Sequence, residues 1–465
     1  MLDKSIKKLN KIVGLKKSDF NEMVHTKQVQ LRKPRLIPVY KLGDEMALTS
    51  VLLSSVKLIK EFREALLGEA KMQKGGKLYL YTEVVFADEP KSRFDGLLLV
   101  VKAGVIKDAA IVEVKNGRDI LEAEQIERYQ DIARRYSIPR FITISNEFVS
   151  DSSQSPVKVK KLKSVERYHL SWSYLLTIAH VLLFKNDTNI EDPDQVAIMR
   201  EVVNYLEWDK SGVFGVNQMK AGWGQVVDKI TANASLKHGD ADVIEAVTSW
   251  QQEERDMALI LSRDLGVLVS SGFKKYKGRL DERIKDDRKY LVENKALSSV
   301  MRVKGAVSDI DLDIIFDKRT VEMSVSLKPP LDKTLRGQLG WLKRQLGVCE
   351  KKEEELVGKM TKELYVDILL KSSRSNERCL AKDLDAMLDV LKGREIREFR
   401  LVYIKDFGKR FSSPKKFVDV IEAMLIDYYK GIVENLVKWE APAPKISSGK
   451  QEATPSEDEL ESVLD

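Results

Sequence analysis

In an extended strand, successive side chains point to opposite faces. Glu113 and Lys115 of Ile111-Val112-Glu113-Val114-Lys115 therefore share one face, while Val112 and Val114 turn to the other, into a core. An apolar strand thus presents a carboxylate and an ammonium side by side. Asp95 opens the preceding strand-like run, and the hairpin between the two runs carries it towards Glu113. Two carboxylates so placed can hold Mg²⁺ (or Mn²⁺), a hard cation that takes oxygen ligands and keeps several waters. The backbone carbonyl of Val114 is a candidate further ligand. A cation there polarises a phosphoryl oxygen and acidifies bound water. Lys115 can orient that water, help deprotonate it, or offset phosphate charge. Gln125 and Tyr129 stand four residues apart on one face of the next helix. Gln125 can bond the attacking water or a phosphate, and Tyr129 the nucleic-acid backbone. Alone, Glu113 and Lys115 fit a surface ion pair equally well; the chemical reading rests on Asp95 and Gln125 flanking them.

The elements that must position these groups are legible as patterns. A helix is expected over about 49–68, capped at Thr49 or Ser50, with Leu52, Val56, Ile59, Phe62 and Leu66 near one face. Three strand-like runs follow, Leu78 to Phe86, Phe94 to Val101 and Ala109 to Val114, with Gly104 in the last hairpin. A helix over 119–136 and a short strand, Phe141 to Ile144, complete the series.

Asp95, Glu113-x-Lys115 and Gln125-x-x-x-Tyr129, in this order on these elements, resemble the signature of the PD-(D/E)XK nuclease superfamily. The resemblance covers roughly residues 45–150, and Phe94-Asp95 stands where the family has Pro-Asp. It implies a restriction-endonuclease-like core of helix, three-stranded meander, helix and strand, with a divalent metal and nucleic-acid cleavage. It also implies a glutamate on the first helix or first strand. Glu83 is the main candidate for that catalytic and metal-binding role, and Glu61 the alternative.

The rest of the chain is read from composition. Its 465 residues suit two or three domains, and 43% hydrophobic with 32% charged residues is a soluble globular balance. The net charge of +7 permits nucleic-acid binding without requiring it. The expected organisation is a basic N-terminal segment (1–45), the nuclease core (46–150), a tryptophan-rich helical extension (151–240), a second α+β domain (241–440) and a disordered acidic tail (441–465). The fold class is thus mixed α/β (α+β): a mixed sheet flanked by helices, then a helical region and a second α+β domain. Lys158, Lys160, Lys161, Lys163 and Arg167 form a basic run, read as a phosphate track. The four histidines have no mutual ligand spacing and read as structural, and the tryptophans as core. In the second domain Asp313, Glu322-Met323-Ser324, Arg336 and Gln345 loosely echo the first core, with Ser324 where the lysine would stand. A non-catalytic role in binding, dimerisation or target sensing is expected for it.

Cys349 and Cys379 form no metal-ligand spacing, which suits a reducing cytoplasm. The first twenty residues hold no long apolar run, so no secretory signal is expected, and Leu175 to Phe184 is too short to span a bilayer. Neither a Walker A loop, an HExxH motif nor a Rossmann glycine pattern is present, which argues against built-in ATP-driven translocation. The leading expectation is a cytoplasmic, Mg²⁺-dependent DNA endonuclease, a homo-oligomer without membrane contact. By analogy it suits a prokaryotic restriction, phage-defence or mobile-element setting, with a partner protein of that system. Two alternatives stand beside it: a non-cleaving nucleic-acid-binding or regulatory protein, and an oligomeric nuclease activated by a partner or ligand.

Overall fold

Apolar runs between residues 77 and 114 form three consecutive antiparallel strands in the computed structural model, which describes residues 11–34, 36, 44–117, 119–149, 152–160, 162–184, 189–276, 279–371 and 376–439. These strands are β2 (Lys77–Phe86), β3 (Arg93–Lys102) and β4 (Val105–Val114), preceded by α1 (Lys17–His25), β1 (Val29–Arg32), α2 (Glu45–Leu58) and α3 (Lys60–Glu69). After them come α4 (Ala123–Arg135), β5 (Arg140–Ser145), β6 (Glu166–Ser171), α5 (Trp172–Leu183) and α6 (Pro193–Glu207). The six strands lie in sequence order in one sheet, antiparallel from β1 to β4 and parallel from β4 to β6.

Both faces of this sheet are covered. Leu98, Val100, Val112 and Val114 pack against α2, α3, α5 and α6. Leu97, Leu99 and Ile111 pack with Phe20 of α1 and with Ile126 and Tyr129 of α4. Burial on both sides explains the unbroken apolar run Leu97 to Val101, which does not alternate as a one-sided strand would.

Three features differ from the sequence expectation. The first helix starts at Glu45, capped by Asp44 (Met46 N–H to Oδ1, 2.9 Å), and breaks at Ile59, whose extended backbone (φ −109°, ψ 115°) separates α2 from α3. The basic N-terminal segment contributes α1, β1 and the fully buried Ile12 and Phe20 to the first core. The helical extension is divided: β6, α5 and α6 complete the first core, whereas Trp223 and its neighbours belong to the second. Trp172 and Trp223 are fully buried but Trp208 is exposed, so the core reading fails for that one.

The second unit comprises α7 (Ala221–Thr231), α8 (Ala241–Leu265), β7 (Ser270–Ser271), α9 (Leu280–Asn294), β8 (Ala296–Arg302), β9 (Ile310–Ile315) and β10 (Thr320–Leu327). It continues through α10 (Leu335–Lys352), α11 (Glu354–Met360), β11 (Leu364–Leu370), β12 (Glu377–Leu380), α12 (Met387–Val390), β13 (Ile396–Asp406) and α13 (Pro414–Gly431). Its seven strands run β12-β11-β13-β10-β9-β8-β7, every pair antiparallel. The alternation along β9 and β10 is as the sequence requires, with Ile310, Leu312, Ile314, Val321, Met323 and Val325 turned to the core. The echo of the first core is not repeated in three dimensions. Asp313 and Glu322 are register partners, but β10 continues to the antiparallel β13, and the Gln345 side chain accepts the Val437 N–H (3.0 Å) instead of facing Glu322. Glu322 lies 3.7 Å from Arg378, and Ser324 is buried. Arg336 is exposed in the first turn of α10. Among the described residues no helix is long and apolar enough to cross a membrane.

The units meet where α5 lies on α8: the Ser173 hydroxyl donates to Asp256 Oδ1 (2.8 Å) and Arg263 donates to Thr177 Oγ1 (2.9 Å). Beside this seam Glu253 is fully buried, and neither of its carboxylate oxygens has a hydrogen-bond partner. Burial, then the charges of Glu422 and Asp256, raises Glu253 well above the ordinary carboxylate value; burial and Asp256 push Glu422 up to about 8. Folded-state values above the unfolded ones mean that the native state binds more protons. Stability contributed by these groups is therefore complete at low pH and is lost as pH rises from the ordinary carboxylate range through about 8. Replacing Glu253 with Met is expected to raise the unfolding free energy by about 1–3 kcal/mol in mild alkali and to flatten its pH dependence. Urea unfolding across that pH range checks this, and an unchanged or lowered stability contradicts it.

Candidate active site

The candidate site forms where β3 and β4 meet the first turn of α4. Gly96 is the register partner of Val112, so Asp95 and Glu113 follow one step further along the same antiparallel pair. Both carboxylates are buried, at 7% and 2% exposure, which rules out a solvent-facing ion pair on the strand. Asp95 Oδ2 accepts the Val114 N–H at 2.7 Å. Glu113 Oε1 accepts from Lys115 Nζ (2.8 Å) and from Gln125 Nε2 (2.6 Å). Glu113 Oε2 is buried with no Lys, Arg or amide donor on it.

The backbone beneath is held rigidly. Lys115 N–H donates to the Ile144 carbonyl of β5 (2.7 Å), and the indole N–H of Trp172 donates to the Lys115 carbonyl (3.0 Å). Thr143, register partner of Glu113 on β5, contacts His169 Nδ1 (3.0 Å), whose Nε2 lies 2.7 Å from the Glu147 carbonyl. Burial lowers His169 to about 4, so it is a neutral structural group at ordinary pH.

The electrostatics follow from burying several charges together. Burial first, and then the Glu113 charge, raises Asp95 well above the ordinary carboxylate value against the opposing Val114 N–H and Lys115. Glu113 is raised by burial, with Lys115 and then a side-chain hydrogen bond with Asp95 opposing. Burial works to lower Lys115, but Glu113, Glu45 and Asp95 outweigh it and hold the ammonium above its usual value. Lys115 is thus held as a cation and hydrogen-bond donor to Glu113 in the metal-free arrangement.

The sequence reading missed Glu45. Its carboxylate lies 3.7 Å from Lys115 Nζ, and its charge is felt by both Asp95 and Glu113. Burial is the main cause that raises its own value. The available signal was Asp44-Glu45 directly before the apolar run from Met46, an N-cap followed by a first-turn acid. Placing the cap at Thr49 or Ser50 hid it.

Other expected residues lie elsewhere or do other work. Glu83 lies between the register pairs Thr82–Gly96 and Val84–Phe94, opposite Asp95, on a left-handed backbone (φ +53°), and its carboxylate pairs with Arg93 (3.2 Å). Glu61 begins α3 and is not among the groups that shift Asp95 or Glu113. Tyr129 is a packing residue: it is 5% exposed, its hydroxyl donates to the Arg93 carbonyl (2.8 Å), and its ring packs edge-on against Phe94. It is not available to touch a nucleic acid. Val114, expected to offer its backbone carbonyl, has its side chain in the core and its N–H on Asp95. Lys158, Lys160 and Lys163 are exposed and Arg167 half-buried; none contacts Asp95, Glu113, Lys115 or Gln125, and Lys161 lies outside the described residues, as does the acidic tail.

Among the described residues no three His, Cys, Asp or Glu side chains converge closely enough to hold a metal ion. The donor set a cation could use is thus the Asp95–Glu113 pair, completed by water or substrate oxygens. That fits Mg²⁺, which usually takes one or two carboxylates and keeps waters, and Glu113 Oε2 is buried with no Lys, Arg or amide donor on it. Because a cation must displace protons from raised carboxyls, its stabilising effect grows with pH. Mg²⁺ or Mn²⁺ at about a hundredfold its Kd is expected to add ~2.7 kcal/mol, more in mild alkali than in mild acid. Asp95→Asn should abolish this gain. Thermal melts with and without cation decide it, and a gain of equal size in Asp95→Asn would place the cation elsewhere.

Protein-family models, curated proteins and solved structures yield no match to this chain, and its functional reading rests on the geometry of Asp95, Glu113, Lys115, Gln125 and Glu45.

Proposed function

We propose that the chain hydrolyses phosphodiester bonds in nucleic acid, DNA foremost, with a divalent cation held by Asp95 and Glu113. The observation that carries this reading is the asymmetric wiring of Glu113: one oxygen is fixed by Lys115 and Gln125, and the other is buried with no basic or amide donor, beside the raised Asp95 carboxyl with which Glu113 hydrogen-bonds. A structural ion pair has no need of the second carboxylate beside it, raised by the first. The resemblance to PD-(D/E)XK nucleases in the order of these residues supports the same reading.

A cation here would act as Lewis acid on the scissile phosphate and lower the pKa of bound water. The chain's own residues do the rest. Gln125 locks the Glu113 carboxylate, so that Oε2 keeps its direction. Lys115, shared between Glu113 and Glu45, presents a positive charge where phosphate negative charge accumulates. Glu45 stands nearer the rim than Glu113, with side-chain exposures of 28% and 3%, and it steers Lys115 towards solvent.

The test is to incubate the chain with supercoiled, linear and single-stranded DNA and with RNA, in Mg²⁺, Mn²⁺ or a chelator. Cleavage that the chelator stops supports the proposal and identifies the polymer. Binding without cleavage under every cation selects a binding or regulatory protein instead. A cytoplasmic setting, a homo-oligomer and a defence-system partner belong to the same proposal and are tested by fractionation, sedimentation and co-purification.

A further inference from the structure

Beyond the candidate active site, a cavity of about 460 Å³ opens at the seam between the two units. Its walls come from the segment after β5 (Phe148 to Val159), from Arg167 of β6, from one face of α8, from the start of α9 and from Lys220 just before α7. Three cations line it, Lys158, Arg167 and Lys220, against one carboxylate, Asp281. None of the three cations forms an ion pair among the described residues.

Arg167 gives the cavity its chemistry. Its Nη2 donates weakly to the Val159 carbonyl (3.4 Å), but its Nη1 is buried and has no hydrogen-bond partner. A buried guanidinium donor without an acceptor is costly, and the group is built for planar, charged oxygen pairs. The nearest acid that Arg167 feels is Glu127 of α4, whose Oε1 is taken by the Lys160 N–H (3.1 Å). The first turn of α9 adds backbone N–H groups and the positive end of a fifteen-residue helix that has no side-chain cap. Lys158 and Lys220 are exposed at the mouth, where they can close on an anion.

The remaining wall is mixed, with apolar Phe148, Pro156, Val157 and Ile284 beside polar Ser155, Thr248 and Gln252, which offer hydrogen bonds to a base or sugar. At about 460 Å³ the space falls within the roughly 300–1,000 Å³ of small-molecule sites and far exceeds a lone phosphate. We propose that this cavity binds a nucleoside phosphate, its phosphate on Arg167, Lys158 and Lys220 and its nucleoside against Phe148 and Pro156. Two sources offer that chemistry, a free nucleotide and the phosphorylated end of a nucleic-acid strand. The basic run thus acts through Lys158 and Arg167 as a closed subsite and not as an open track.

Equilibrium titration of the whole chain in chelator tests this without any dependence on cleavage, so its failure and that of the nuclease reading are separable. The probes are AMP, adenosine, inorganic phosphate, and an oligonucleotide with and without a 5′-phosphate. Saturable AMP binding, tighter than adenosine and phosphate, is expected, weakened about tenfold to a hundredfold by Arg167→Gln and by Lys220→Ala. Lys220 is exposed, so its variant keeps the test valid if Arg167→Gln fails to fold. AMP binding without the oligonucleotide assigns the free nucleotide; binding of the oligonucleotide only when phosphorylated assigns the strand end. No saturable binding of either, adenosine or inorganic phosphate binding as tightly as AMP, or affinity unchanged in Lys220→Ala would overturn the proposal.

Discussion

Lys115→Ala and Glu113→Gln are each expected to lower phosphodiester cleavage by at least ~10²–10³-fold, the loss typical of removing one preorganised charge or donor at a reacting centre. The two act differently. Glu113→Gln keeps the shape and the contact with Gln125 but removes the charge that the cation needs, so raising the cation concentration should restore little. Lys115→Ala leaves Asp95 and Glu113 with less compensation than they have now, since Lys115 is the main group opposing the rise at Glu113 and, after the Val114 N–H, the next one at Asp95. Their carboxyls should hold protons to higher pH, and the rising limb of the pH–rate profile should move upward. Lys115→Arg preserves the charge but not the compact ammonium geometry and should recover only part of the rate. Single-turnover rates with folded variants, monitored by circular dichroism, measure all three. Wild-type rates in Glu113→Gln would remove this site from the chemistry.

Arg283→Met is expected to cost about 3–5 kcal/mol of stability, as breaking a buried ion pair from one side usually does. Arg283 and Glu254 are 6% and 1% exposed, and they meet through two guanidinium–carboxylate hydrogen bonds, one of 3.2 Å from Nη1 to Oε1 and a shorter one from Nη2 to Oε2. Arg283 Nε lies 3.2 Å from Asp287 Oδ2, which also accepts from Gln251 Nε2 (2.7 Å). The cluster ties α8 to α9. Gly272 follows the short β7, and a Cβ there would fall 2.7 Å from Arg283 Nη1 on a backbone already at φ +77°. Removing the guanidinium leaves Glu254 charged, buried and uncompensated. Replacing Glu254 as well, with a second apolar side chain, should recover most of the loss. Urea unfolding of the single and double variants measures this; a loss below about 1 kcal/mol in the single variant would show that water reaches Glu254.

How much of this was legible depends on whether the deciding contacts are local. The three strands from 77 to 114, the helix after them and β5 follow from apolar runs, turn residues and spacing. So does the convergence of Asp95, Glu113, Lys115 and Gln125, because strand alternation and a single hairpin fix their relations. The pairing of Glu83 with Arg93 and its left-handed backbone were not legible, because the register shift opposite Gln30 and Arg32 depends on β1, a strand from a segment that reads as merely basic. Glu45 was hidden by a helix start set four residues late. β6, with the sequence Glu-Arg-Tyr-His-Leu-Ser, has little strand character of its own and is recruited by parallel pairing with β5. The order of the second sheet, where β13 inserts between β10 and β11, is likewise a product of long-range packing. Arg167 reads in sequence as one cation in a run; only burial of its Nη1 distinguishes it.

The most direct test of the central claim is a crystal of the chain grown with Mn²⁺ and measured at the manganese absorption edge. The account predicts an anomalous peak bonded to Glu113 Oε2 and to an Asp95 carboxylate oxygen, and its disappearance in Asp95→Asn. Saturating Mn²⁺ with no peak between these carboxylates, in a protein that still cleaves DNA, would contradict it.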